Sequence, residues 1–327
     1  MENIVVSIHC LAYNHEKFIA EALESFLMQK TNFKFEILIH DDASTDRTQE
    51  IIKEYELQHP ELIKPIYQSE NQYSKENSAN TINLINLNRA KGKYIAVCEG
   101  DDYWIDPYKL QKQVDYLEKN PDCSLCVHGG YIVTAAEKKV LLKNRSYKKD
   151  KDYTVGEVIE GGGGLFLTNS MLFPKKYALE RPAFLLNAPV GDYPYAINLS
   201  LQGKVYYIDE FMSAYRVGHS GSWTAREYNN IENKKRHYAE IENMLDNLNM
   251  YTDYRYSDAI TRTKIKTQFY FLLEQRKYDE AIKGNYKEYY LELSLKRKLI
   301  IFIDQYSPFI SKTLRSIKRG VIGWTSI

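Results

Sequence analysis

Ile4 to Ala12 is an almost unbroken apolar run, the pattern of a strand buried on both faces. Polar Tyr13-Asn14-His15 ends it. Phe18, Ile19, Ala22, Leu23, Phe26 and Leu27 then fall on one helical stripe. A second strand, Phe35 to Ile39, runs into His40-Asp41-Asp42-Ala43-Ser44-Thr45-Asp46, which caps a helix over Arg47 to Gln58. His59-Pro60 stops that helix, and Ile63 to Tyr67 is a third strand. A polar loop, Asn71 to Ser78, leads to a helix over Thr81 to Ala90 with Gly92 as its C-cap. Tyr94 to Cys98 is a fourth strand, and Asp106-Pro107 opens a helix that buries Leu110, Val114 and Leu117. Alternation with short connections predicts an α/β domain: a mostly parallel sheet flanked by helices.

Beyond Cys123 the alternation weakens. Cys123 to Val133 reads as strand, and Ala135 to Asp152 as a charged surface excursion. Gly161 to Gly164 is a flexible flap, a close approach of backbone to a ligand, or a plain loop. Leu165 to Phe173 is strand-like with polar Thr168-Asn169-Ser170 at its middle. Gly191-Asp192 opens a helix to about Gln202, closed by Gly203; Val205 to Ile208 and Phe211 to Tyr215 are short strands. From Arg226 helical spacing dominates, with one stripe at Ile241, Met244, Leu245 and Leu248 and another at Ile265, Phe269 and Leu272. The division expected is residues 1–225 as the α/β domain and 226–327 as a helical region with a basic amphipathic tail.

Net charge narrows the partners. At +1 over 327 residues no global field steers the chain to nucleic acid. The 28 tyrosines against 12 phenylalanines suit half-wet grooves, where a ring is buried and a hydroxyl reaches water or a sugar. No leader pattern is visible and no apolar run approaches the ~20 residues that span a bilayer, so a cytoplasmic location is expected. Cys123-x-x-Cys126 resembles half a zinc site but lies in an apolar run, and no second pair exists; a buried strand is the simpler reading. From Lys296 to Arg319, seven cations face one acid, Asp304, around Leu299 to Ile303 and Phe309-Ile310. That pattern fits an element at the inner face of a membrane, a packed helix with a solvated basic face, or an oligomer contact through the C-terminal helices.

Candidate chemistry gathers where the fourth strand ends in Glu99-Gly100-Asp101-Asp102. That edge of an open α/β sheet is where ligands bind. Acids this close repel one another unless a cation relieves them. Neither a Gly-x-Gly-x-x-Gly turn nor a Walker loop is present, so phosphate charge would fall to a divalent metal at Asp101 and Asp102. Asp192 stands at a helix start, where the dipole favours an ionised carboxylate.

Together these residues resemble family 2 glycosyltransferases of the nucleotide-diphospho-sugar (GT-A) fold, over Ile4 to about Trp223. The likeness rests on Ala12-Tyr13-Asn14, Asp41 to Asp46, Glu99 to Asp102 and Gly191-Asp192, in that order. By resemblance, Ala12, Tyr13 and Asn14 line the nucleotide, Tyr13 flanks its base, and Asp42 accepts from the base imide with Asp41 structural beside it. Relatives often carry Thr where Leu11 stands. The family's Asp-x-Asp is Glu99-Gly100-Asp101 here; Asp101 binds the metal and Asp102 supports metal or donor sugar. Asp192 matches the catalytic base, and follows Gly191 where many relatives have another acid. In Tyr215 to Trp223, Arg216 belongs to a closing segment, His219 meets phosphate or metal, and Trp223 stacks on a sugar or is core. Trp104 is a second acceptor-side aromatic. The implied activity is inverting, metal-dependent (Mn2+ or Mg2+) transfer from a nucleotide-sugar, a UDP-sugar by expectation, to a glycan, lipid-linked or glycoprotein acceptor. A same-fold nucleotidyltransferase and an inactive carbohydrate-binding scaffold are the rival readings.

Overall fold

A computed structural model of the chain describes residues 3–73, 78–218 and 230–306. His219, Trp223 and the tail from residue 307 lie outside the described residues. The strands are β1 Ile4–Ala12, β2 Lys34–Asp41, β3 Ile63–Tyr67, β4 Tyr94–Val97, β5 Tyr103–Trp104, β6 Cys123–Thr134, β7 Val140–Asn144, β8 Lys151–Tyr153, β9 Leu172–Pro174 and β10 Lys204–Val217. They form one sheet in the order β3-β2-β1-β4-β9-β6-β10-β5, with β7 beside β6 and β8 beside β10. β1 pairs in parallel with β2 and β4, and β2 with β3. β9 is antiparallel to β4 and β6, so the sheet is mixed. Helices α1 Ile19–Leu27, α2 Thr48–Gln58, α3 Ser78–Arg89, α4 Lys109–Lys119, α5 Val155–Gly161, α6 Ala183–Leu186 and α7 Asp192–Gln202 accompany it.

β1 and its partners place Val6, Ile8, Cys10, Ile37, Ile39 and Ala96 in a core that α1 and α4 close with Leu23, Phe26, Leu110 and Val114. Such burial contributes roughly 25 cal/mol per Å² of apolar surface. Ser7 turns elsewhere: its hydroxyl donates to Glu36 at 2.6 Å and accepts from Gly92 N–H at 2.9 Å. Gly92 is therefore a packing glycine and not the expected left-handed helix cap. A Cβ there would lie 2.4 Å from the Ser7 backbone nitrogen. All four cysteines are free and buried, Cys123 and Cys126 within β6.

Four boundaries differ from expectation for physical reasons. Asp106 does not cap a helix beginning at Pro107; it accepts from Tyr108 N–H, and α4 starts at Lys109. The charged excursion 135–152 contains β7 and β8, because its lysines lie over rings: Lys143 Nζ is 5.5 Å from the Phe211 ring and Lys151 Nζ 4.5 Å from Tyr153. Long aliphatic stems let a charged residue occupy a strand. The polar triplet of 165–173 forms a 3₁₀ turn, Thr168–Ser170, ahead of the short β9. The two short strands after Gly203 are one 14-residue strand, since Asp209-Glu210 lies in a bulge between Ile208 and Phe211.

The chain divides into two compact units, Met1–Arg255 and Tyr256–Ile327. The break falls after the change of composition near residue 226. α8, Ile231–Tyr251, lies in the first unit, where Tyr251 meets Phe184 with ring centroids 5.3 Å apart. The second unit contains α9 Ser257–Glu274, α10 Tyr278–Ala281, α11 Lys287–Glu292 and α12 Leu295–Tyr306 around Phe269, Leu272, Tyr278 and Ile301. No helix among the described residues is long and apolar enough to cross a membrane.

One core position works against stability. Lys109 is fully buried, with its ammonium 2.8 Å from Gln113 Oε1 and 4.1 Å from the Trp104 ring centroid. Burial pulls its pKa down to about 7. The unfolded chain therefore holds the proton more tightly, and stability rises with pH from about 7 to the ordinary lysine value near ~10.4. Lys109→Met is expected to stabilise at neutral pH by about 1–3 kcal/mol. Urea unfolding across that window should show its advantage over wild type shrinking as pH rises; a constant advantage would contradict the buried charge.

Candidate active site

The turns that follow β1, β2 and β4 are joined to one another. Asn14, at φ 56°, donates its N–H to Ser44 Oγ at 2.9 Å, and its side-chain oxygen accepts from Thr45 N–H at 2.8 Å. His15 N–H donates to Thr48 Oγ1 at 2.7 Å, and Glu16 N–H to Asp46 at 3.1 Å. Gly100 N–H donates to Leu11 O at 2.8 Å, which carries the β1–β4 pairing into the acid turn. Gly100 has no room for a side chain: a Cβ would sit 2.9 Å from both His15 Nδ1 and Ile19 Cδ1. His15 Nε2 in turn lies 3.8 Å from Asp101 Oδ2.

Asp102 faces inward and is 1% exposed. Oδ1 accepts from the Arg216 N–H at 2.8 Å, and Oδ2 from Asn169 Nδ2 at 3.0 Å. Asn169 also donates to Ala214 O at 3.0 Å, accepts from Ser213 Oγ at 2.7 Å, and through its carbonyl accepts from Trp104 Nε1 at 2.9 Å. The Arg216 guanidinium donates to Asp101 O at 2.6 Å and to Glu21, and lies 4.3 Å from the Tyr103 ring centroid. Burial raises the Asp102 pKa well above the carboxylate range, the Asp101 charge adds to this, and the Arg216 contact opposes it. The acid turn is thus fastened from below by β10 and the 168–170 turn.

Asp192 is the first residue of α7 and accepts from the Tyr193 N–H at 2.7 Å. The Thr168 hydroxyl adds a second hydrogen bond, while burial raises its pKa. It lines a small cleft with Gly162, Gly163, Phe166 and Tyr193. The pKa of Glu99 is raised by burial first, then by the charges of Asp101 and Asp192. Tyr215 is raised by burial and then by the charges of Asp102, Glu99, Asp101 and Asp192. Glu99, Asp101 and Asp192 therefore share one electrostatic neighbourhood.

Trp104 and Arg216 lie elsewhere than expected, and Ala12, Asn14 and Asp42 carry hydrogen bonds within the protein. Trp104 is 1% exposed, packed on Phe26 at 4.9 Å, and its indole N–H is used; it is core and offers no face to a sugar. Asp42 is 4% exposed and accepts from Gln72 N–H at 2.7 Å and Tyr73 N–H at 2.9 Å, so it clasps the loop after β3. The Ala12 carbonyl accepts from Asp42 N–H at 2.9 Å, and Asn14 is spent on joining turns. Arg216 is 2% exposed and anchors the acid turn from beneath instead of closing over it. Tyr13, at 39% exposed, presents its ring to solvent. Asn169 was visible only as the centre of a polar triplet in an apolar run; no local pattern links it to Asp102, 67 residues away.

The sequence model of "Glycosyl transferase family 2" matches residues 7–175, a span that includes the joined turns, Glu99 to Asp102, and Asn169. The chain belongs to this family. An uncharacterized protein of Mycobacterium tuberculosis (strain H37Rv) is 34% identical over 220 residues, 67% of this chain and 60% of that protein. The chain thus spans about three-fifths of that relative's length. An uncharacterized glycosyltransferase of Methanocaldococcus jannaschii is 27% identical over 237 residues, 69% of this chain and 75% of that one. Among solved structures, S. aureus TarS 1-349 in complex with UDP-GlcNAc aligns with a TM-score of 0.58 at 16% identity, over 94% of this chain and 81% of that one. The mannosyltransferase PcManGT from Pyrobaculum calidifontis, in complex with GDP-Man and Mn2+, gives 0.51 at 15% identity, over 87% and 82%. At these identities the solved structures establish the fold: a GT-A-like α/β domain.

For this family 2 chain the Asp102 fastening yields a direct expectation. Asn169→Ala should destabilise the fold by about 2–4 kcal/mol, because it strips one donor from a buried carboxylate and leaves Ser213 Oγ unpaired. Urea unfolding measures it. A loss below about 0.5 kcal/mol, the scale of an ordinary surface change, would show that the network is dispensable.

Proposed function

We propose that the chain is an inverting glycosyltransferase that moves a sugar from a nucleotide-diphospho-sugar, UDP-linked by preference, to a hydroxyl of a glycan, lipid-linked or protein-linked acceptor. The observation that carries the reading is the placement of Asp192: a single carboxylate at a helix N-terminus, opening on a cleft, with its charge acting on Glu99. The family membership and the nucleotide-sugar complexes of TarS and PcManGT support the donor class.

In this reading the acceptor hydroxyl enters the cleft beside Gly162 and Gly163, and the Asp192 carboxylate takes its proton as the oxygen attacks the anomeric carbon. The diphosphate leaves from the opposite side, so configuration inverts. Asp192 is suited to the task because burial raises its proton affinity, while the helix terminus and two hydrogen bonds keep an ionised population. Tyr13 offers its exposed ring to the base.

The residues suit a divalent Mn2+ or Mg2+ ion. The donors are all hard oxygens, and the repulsion that raises Glu99 is of the kind a cation relieves. No preformed cluster of three or more His, Cys, Asp or Glu that could hold a metal occurs among the described residues. Asp101 would hold the ion together with phosphate oxygens and water, the usual way a hard cation is carried on a diphosphate. When bound, the ion neutralises charge on the departing diphosphate. Asp102, with each oxygen already bonded, orients the turn.

Asp192→Asn is expected to retain UDP affinity by calorimetry and to lose turnover by roughly 100-fold or more, the scale of one general base. Release of free nucleoside diphosphate across a panel of nucleotide-sugars reads the rate and the donor. Transfer near wild-type level with intact binding would remove Asp192 as base. Turnover by the native chain should fall as pH drops through the raised Asp192 pKa, since protonation disables a base; the limb should lie above that of an exposed Asp at about 3.9.

Asp101→Asn should abolish the manganese-dependent part of UDP binding. Identical affinity with and without Mn2+ in the native chain would remove the metal from the reading.

A further inference from the structure

The last helix among the described residues of the second unit has two apolar faces. On α12, Ile301 is buried with Phe269, Leu272 and Tyr278. Asp304 and Gln305 turn the same way, since Tyr278 Oη donates to Asp304 at 2.7 Å and Gln305 donates to Asp279 at 2.8 Å. The opposite side carries Leu295, Leu299, Phe302 and Tyr306, which are 84%, 58%, 58% and 65% exposed. Their spacing of four, three and four residues places them in a stripe roughly 60° wide at 100° per residue. Leu291 of α11 is 60% exposed, and its carbonyl accepts from Lys298 Nζ at 2.6 Å. Lys296 and Lys298 stand on either flank of the stripe, whereas Arg297 falls on the opposite side of the helix.

We propose that this outward face of α12 lies on an anionic bilayer surface, with Leu295, Leu299, Phe302 and Tyr306 at the headgroup–acyl boundary and the flanking cations on lipid phosphates. Charge complementarity selects this occupant over the two others. A second copy joined by a two-fold axis would set the same patch against itself and bring like charges together. The chain's own residues 307–327 add Lys312, Arg315, Lys318 and Arg319 and no acid, so folding them onto the stripe would add repulsion. Counted over residues 296–319 the charge is seven cations against one acid, a local +6 on a chain whose total is +1. An anionic surface meets both the stripe and the charge, as interfacial helices with basic flanks do. The helix has 12 residues, too short to span, so the contact is peripheral. The inference stands apart from the donor chemistry, because it uses no residue of the first unit.

Flotation of the full-length protein with vesicles tests it. Binding is expected to phosphatidylcholine vesicles that contain phosphatidylglycerol, to weaken steeply with salt, and to be weak on phosphatidylcholine alone. Each near-surface cation is worth about fivefold in partition, so the double variant Lys296→Gln, Lys298→Gln should bind about 25-fold more weakly. Leu299→Gln and Phe302→Gln should each lower binding, with unchanged UDP affinity and an unchanged melting curve. Equal, salt-insensitive binding to both vesicle types would overturn the anionic surface as partner. Absence of vesicle binding would overturn the proposal outright. If light scattering then shows an oligomer that Leu299→Gln dissociates, the face joins two copies; if only deletion of residues 307–327 exposes a vesicle-binding face, the tail covers it. UDP affinity lost in all variants would point to a general folding defect, and the salt and lipid dependence of the native chain would still decide.

Discussion

The buried carboxylate of Asp102 is the constraint on which the rest of the site depends. A charge or a proton held this far from water is costly unless its oxygens are bonded. Here the bonds come from Arg216 N–H on β10 and the Asn169 amide in the 168–170 turn. Those elements lie 114 and 67 residues away along the chain. One side chain therefore fixes three segments in register, and the exposed members of the acid turn inherit that position. Arg216 completes the fastening by gripping the Asp101 carbonyl, so the half-buried neighbour is held through its backbone.

Adjacent acids recur along the sheet edge. Asp41 and Asp42 are both buried and bonded within the protein. Asp41 is enclosed by Ser44 and Gln49, and Asp42 clasps the following loop. Asp102 is locked, whereas Asp101 lies beside His15 at the surface of the turn. Asn14, Ser44, Thr45, His15 and Thr48 join the first two turns, and Gly100 seats the third against them without a side chain. An edge joined in this way holds its polar groups in fixed positions relative to one another.

The two compact units answer different physical demands. The first buries a wide mixed sheet and concentrates acids at one edge. The second is small, and its last described helix spends one face on its own core and leaves the other apolar face outward. A helix of that make has no reason to expose leucine and phenylalanine to water except to meet another surface.

Much of this was legible in the chain. Periodicity located β1 and β3 to the residue, because an unbroken apolar run with polar ends has one local solution. The acid-tipped strand and Asp192 at a helix start were equally visible, since strand ends and helix caps carry short-range signals. The roles of the individual acids were not. Asp101 and Asp102 are indistinguishable as letters, and only the arrival of Asn169 and Arg216 from distant segments decides which is buried. Trp104 looked like a sugar platform until Phe26 and Lys109 closed over it. In the charged stretch 135–152 the β7 strand was hidden because the rings beneath Lys143 come from β6 and β10. Local sequence fixes what a segment can be through dihedral preference and apolar spacing. Which polar group is desolvated, and by what it is repaid, is a property of contacts between segments, and only the tertiary structure contains those.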